Sequence, residues 1–139
     1  MKINFILILA MTLFACNKDS NSTTLSGEWK LIKYHNITDG TSETEPTDIS
    51  RSIIMNFSDD GSIGKLDGNT VSNVIFGDYE LNQDKGIKFL GLGRSEVGEP
   101  KWGNKFWDAI SSTSTYERQG KKLFIFFNID TEKMEFKKQ

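Results

Sequence analysis

Few residues in this chain have the chemistry to act on a substrate, and they are scattered. There is one His and one Cys, which excludes zinc-finger, disulfide-scaffold and haem-attachment readings. His35 is the side-chain type that exchanges protons near neutral pH. No nucleophile and orienting group stand at a spacing that would make it a general base, so it reads as an exposed His at a strand end. Glycoside hydrolysis needs two carboxyl groups on either side of one bond. Asp78, Glu80, Glu96, Glu99 and Asp108 are the candidates for such a pair, and most of them belong on solvated faces. Asp59-Asp60-Gly61 lacks the alternating oxygen ligands of a calcium loop and reads as a hairpin turn. Gly91-Leu92-Gly93-Arg94 has neither G-x-G-x-x-G nor a Walker lysine. It reads as a strand end and loop, with Arg94 a candidate contact for an acidic ligand. The residues therefore predict no catalytic centre, no metal and no cofactor.

Aromatic side chains are a richer set. Trp29, Phe57, Phe76, Tyr79, Phe89, Phe124, Phe126 and Phe127 suffice to fill a small β core. If the core were hollow instead, Trp29 would line the pocket, and a space of several hundred Å³ would mark a carrier. Trp107 follows Phe106, so on a helix it points about 100° away from it. That takes it off the centre of the apolar face and makes it a candidate contact for a partner.

The single Cys carries the most specific signal. Lys2 precedes an apolar run over residues 5–14, too short for the roughly twenty residues of a membrane-spanning helix and right for an export signal. It ends in Leu13-Phe14-Ala15-Cys16, which resembles the lipobox of bacterial lipoproteins. The resemblance implies a signal peptide over residues 1–15, cleavage before Cys16, a diacylglycerol on its sulfur and an acyl group on the new amine. Residues 16–25 are then the lipidated Cys and a polar, flexible tether. Several acyl chains, at about 0.8 kcal/mol per buried methylene, hold a protein on a bilayer in practice permanently. The implied location is the cell envelope, on the outer membrane, facing either side. Seventeen Lys and Arg stand against 19 Asp and Glu, for a net charge of −2. Without a basic cluster along the sequence, nucleic acid is excluded as a partner.

The rest of the chain, residues 26–138, reads as one mostly β domain. Beyond residue 15 only one alanine remains, Ala109, against many β-branched and aromatic residues, which disfavours a helical bundle. Residues 27–35 alternate Trp29 and Leu31 against Lys30, Ile32 and Tyr34. Residues 36–50 are polar and read as a mobile loop. Ile53, Met55 and Phe57 alternate in a second strand that turns at 59–61 into residues 62–66, with a further turn at Asp67-Gly68-Asn69. Strands follow over 74–81 and 87–92. A helix over about 100–111 begins at Pro100 and puts Trp102, Phe106, Ala109 and Ile110 on one face. Three strands close the chain, over 114–118, 122–127 and 133–138. The pattern predicts about eight antiparallel strands in a small meander or barrel, with one helix before the last three. Residues 123–127 (Leu-Phe-Ile-Phe-Phe) are apolar on both faces, and the helix is the expected cover for the second face.

From Leu25 to Phe136 this pattern resembles the META domain, the family of the HslJ-type lipoproteins. Leu25-Ser26-Gly27-Glu28-Trp29-Lys30-Leu31 matches that family's L-x-G-x-W-x-L opening, and Asn73 to Tyr79 its central N-x-x-x-G-x-Y. Where the family commonly has G-C-N this chain has Val71-Ser72-Asn73, and its second frequent Cys falls at Glu99. The resemblance implies a non-enzymatic role in envelope maintenance or stress and no disulfide here. The opening G-x-W also resembles lipocalins, which implies the alternative of a small apolar-ligand carrier. Expected contacts are thus the membrane through the lipid on Cys16, and an envelope protein or small apolar ligand at Trp29, Arg94 or Trp107.

Overall fold

The computed structural model describes residues 24–139; the expected signal peptide, Cys16 and most of the expected tether lie outside the described residues. The alternation that starts at Trp29 becomes β1 (Gly27–Asn36). After it come β2 (Ser42–Thr44), β3 (Ile54–Asp59), β4 (Ile63–Asn69), β5 (Val74–Leu81) and β6 (Ile87–Arg94). The helix α1 (Lys101–Ile110) precedes β7 (Thr113–Gln119), β8 (Lys122–Phe127) and β9 (Glu132–Lys138). Eight strands form one curled antiparallel sheet in the order β6-β5-β4-β3-β1-β9-β8-β7, and β2 adds to β1. The expected mostly β fold, with its helix before the last three strands, is the one observed.

Three local expectations change. Ile32 sits in a β-bulge between Leu31 and Lys33. A bulge shifts the alternation by one residue, so Tyr34 joins Trp29 and Leu31 in the core instead of pointing to the other face. Residues 67–69 are not a turn but the end of β4, paired with Ile54 to Asn56. Gly68 allows this because a Cβ there would meet the Ile54 carbonyl oxygen at 2.1 Å, a close backbone approach of the kind that selects glycine. The loop over 36–50 contains β2, registered Thr44 to Lys33 and Ser42 to His35. Its hairpin is organised by Asn36, whose side-chain oxygen accepts the N–H groups of Thr38 and Asp39.

Covering β8 also works differently from the expectation. Leu123, Ile125 and Phe127 belong to the same core as Trp102, Phe106, Ala109 and Ile110, so the helix packs on the inner face. The outer rings, Phe124 and Phe126, lie under Lys133, whose ammonium is 4.4 and 5.6 Å from their centroids. A lysine stem can cover apolar surface while its charge stays at the water boundary. The helix instead closes one end of the curled sheet. Tyr34 donates its O–H to the Trp102 carbonyl at 3.3 Å, and Lys105 pairs with Glu43 of β2 at 2.8 Å. At the opposite end Asp59 Oδ2 accepts the Leu25 N–H at 2.8 Å and the Tyr79 hydroxyl at 2.6 Å.

Candidate functional site

The helix-capped end gathers three of the residues singled out from the sequence. Glu99, just before the helix, reaches back to the β4–β5 turn. Its Oε1 accepts the Asn73 side-chain amide at 2.7 Å and the Thr70 hydroxyl, and Oε2 accepts the Ser72 main-chain N–H at 3.1 Å. Burial alone would raise this carboxyl's pKa, but the hydrogen bonds from Asn73, Thr70 and Ser72 together outweigh it and hold the pKa below the ordinary carboxylate value. Glu99 is therefore ionised and its oxygens are occupied, which suits a structural tie better than a general acid. Gly103 makes room for it, since a Cβ there would lie 2.1 Å from Glu99 Oε2. The positions where the META resemblance places a cysteine pair, 72 and 99, are thus in direct contact and joined by a charge-assisted hydrogen bond.

Arg94 and Trp107 also come together. The guanidinium lies 4.7 Å from the indole centroid, within cation–π range. Trp107 packs edge-on against Phe106 with centroids 5.6 Å apart. Its Nε1 is buried without a hydrogen bond of normal geometry, although its dipole adds to the stabilisation of the Glu99 charge. Beside this pair a hollow of about 330 Å³ is lined by Arg94, Glu96, Val97, Gly98, Glu99 and Asn104. Trp29 sits elsewhere. It is fully buried, donates Nε1–H to the Leu25 carbonyl at 2.7 Å, and is flanked by Arg118 and Lys138, each 5.5 Å from its ring.

The other titratable residues are dispersed. Asp78 pairs with Lys65 at 3.0 Å on the outer face, Asp78 and Glu80 are exposed on β5, and Asp108 is exposed on the helix. His35 is not free at a strand end: its Nε2 lies 2.7 Å from Glu135 Oε2, and Lys122 holds the other oxygen at 2.8 Å. Burial acts to raise the Glu135 pKa, and the bonds and charges of Lys122 and His35 more than reverse it. That tie escapes sequence reading because His35 and Glu135 are a hundred residues apart. Among the described residues no three His, Cys, Asp or Glu side chains cluster as a metal site.

A second concavity, larger than the hollow beside Arg94, also escaped the sequence. β6 and β7 are the two edges of the curled sheet. Gly86 pairs with Thr115, and the Tyr116 N–H reaches the Lys85 carbonyl at 2.9 Å. Toward the helix the edges diverge around an open cleft of about 740 Å³, whose apolar wall is Leu81, Ile87, Phe89, Leu92 and Ile110.

Fold and site together define a class: a small antiparallel half-barrel with a filled core, one end closed by a helix, and an open seam. The chain belongs to the META domain family, whose model matches residues 22–139. No curated protein matches it. Among solved structures it is similar to a protein from Burkholderia xenovorans studied by NMR, at TM-score 0.61 and 18% identity over 82% of each chain. It is also similar to a crystal structure of a DUF4847 family protein from Bacteroides vulgatus, at TM-score 0.63 and 16% identity, over 82% of this chain and 94% of that one. At these identities the likeness is one of fold. The lipocalin alternative finds no support in these comparisons.

Proposed function

We propose that this META domain protein is a non-enzymatic, lipid-anchored component of the bacterial cell envelope, held through Cys16 on the outer membrane and acting by contact with another envelope component. The observation that carries a contact role over a carrier role is the filled interior. Trp29, Tyr34, Phe57, Tyr79, Trp102, Phe106 and Phe136 occupy the centre of the curled sheet, each no more than 1% exposed. The surface offered to a partner is the helix-capped end, with Arg94 stacked on Trp107 and the flanking loops over 36–50 and 95–99. Native mass spectrometry of the protein taken from its own envelope tests this. A co-purifying protein lost on Arg94→Ala or Trp107→Ala supports it, and a lone protein overturns it. Palmitate labelling tests the anchor: if Cys16→Ala leaves labelling and membrane fractionation unchanged, the lipoprotein reading fails.

A second reading rests on the seam. Its volume lies in the range of small-molecule sites, and its wall of Leu81, Ile87, Phe89, Leu92 and Ile110 suits a small apolar ligand. A bound mass of a few hundred daltons in the same spectra, displaced by Phe89→Arg, would favour that reading.

A further inference from the structure

The sequence has no basic cluster, but the sheet assembles one. Lys30, Lys137 and Lys122 stand directly side by side across β1, β9 and β8. Lys121 adjoins the row in the β7–β8 turn, while Arg118 of β7 and Lys138 of β9 lie beside Trp29 on the other face of the sheet. Like charges placed opposite one another on neighbouring strands repel. The acidic groups that face them compensate in part: Glu45 pairs with Lys30 at 2.7 Å and Glu135 with Lys122 at 2.8 Å. Glu28 is exposed on β1, and Glu117 accepts from Gln119 at 2.6 Å. Lys121 and Lys137 are exposed and form no ion pair among the described residues. Asp59, which accepts the Leu25 N–H, and Asp60 in the same turn also stand at the end opposite the helix, so the uncompensated positive charge is that of Lys121 and Lys137 beside the lysine row.

The N-terminal segment enters the domain at this same end. Arg118 donates to the Thr24 carbonyl at 2.7 Å, and the Lys138 ammonium lies 3.5 Å from the Ser26 carbonyl. Residues 17–23 separate Thr24 from Cys16, and seven residues span at most about 25 Å. An anchor at Cys16 would therefore hold the cationic end near the headgroups and leave the helix end farther out. At physiological ionic strength charges are screened beyond about 8 Å, so the end held against the surface is the one that feels its charge.

We propose that the row Lys30–Lys137–Lys122, with Lys121 in the adjoining turn, is a docking face for the anionic phospholipid headgroups of the bilayer that holds the anchor. It orients the domain with Arg94, Trp107 and the helix outward. This rests on the lipid-anchor reading of Cys16. The headgroup phosphates supply the negative charge that the facing acidic residues lack, and the tether supplies the proximity.

Cys16 is the sole Cys of the chain, so when it is acylated an introduced Cys is the one free thiol. A spin label at Gln119→Cys would report the cationic end, and one at Thr38→Cys the opposite end. The acylated protein is reconstituted into vesicles of phosphatidylcholine with or without 30% phosphatidylglycerol. The Gln119 label is expected at headgroup depth in anionic vesicles and in water in neutral ones, with the Thr38 label in water in both. Lys121→Gln with Lys137→Gln, which breaks no ion pair, should lower the docked-to-undocked ratio about 25-fold, taking about fivefold per charge near the surface. Equal depth in both vesicle types, or no effect of the double variant, overturns the proposal. So does a short DNA duplex that removes the label from anionic vesicles, which would assign the face to nucleic acid. Intact mass of the Cys16 peptide reports separately on the anchor: an unmodified Cys16 refutes the lipoprotein reading, whereas an acylated one with undocked labels refutes this face alone.

Discussion

Glu99 Oε2 accepts the main-chain N–H of Ser72 at 3.1 Å. This joins the start of the helix to the β4–β5 turn at the two positions where the META resemblance places a cysteine pair. A carboxylate with several donors is a strong tie, but unlike a covalent bond it depends on ionisation.

Acid should loosen that tie. Glu99 has a folded-state pKa below its unfolded value, so its contribution is complete above the ordinary glutamate pKa of about 4.3 and disappears as pH falls through the folded value. Glu99→Gln should lower stability at pH 7 by about 1–3 kcal/mol. It should also flatten the loss of stability below pH 4.3. Urea unfolding at pH 7 and pH 3.5 checks both, and an unchanged acid slope counts against the role given to Glu99.

Gly103→Ala should destabilise, against the ordinary preference of helices for alanine by about 1 kcal/mol. The new methyl would meet Glu99 Oε2 at 2.1 Å and displace the carboxylate. In a Glu99→Ala background the same substitution should become neutral or stabilising. A double-mutant cycle measured by thermal unfolding reads the coupling.

Lys122→Met should cost about 1–3 kcal/mol, because Glu135 is only 5% exposed and would keep His35 alone as its partner. Lys121→Met one residue away should stay within about 0.5 kcal/mol, as at most unpaired surface positions. Equal effects of the two in denaturant melts would show that the buried carboxylate does not depend on its lysine.

Ile129→Asn should stabilise the protein by about 0.5–1 kcal/mol, raising the melting temperature by a few degrees. Ile129 is 93% exposed, so little packing is lost. Its φ of +55° is unfavourable for a β-branched residue and accepted by Asn. A fall in melting temperature would mean that the Asn128–Asp130 turn depends on the isoleucine.

Much of the secondary structure was readable, because alternation and turn residues act locally. β5 and β8 fall on the expected residues, 74–81 and 122–127, and the buried helix residues include Trp102, Phe106, Ala109 and Ile110. The exceptions have non-local causes. β2 has no apolar alternation and exists because β1 offers an edge beyond its pairing with β3. Tyr34 points inward because of a bulge that appears only when β1 meets β9. The outer rings of β8 are covered by Lys133 of the neighbouring strand, and no single segment reveals that.

By itself the sequence determined the family and the order and type of most of the elements. Each of these is written in contiguous residue types or in short spacings. Only the tertiary structure decided which distant charges meet. It placed Glu99 against Ser72, Glu135 between His35 and Lys122, and Lys30, Lys137 and Lys122 in one row. The physical reason is register: strand pairing brings together side chains a hundred residues apart, and interactions between charges depend on that distance in space.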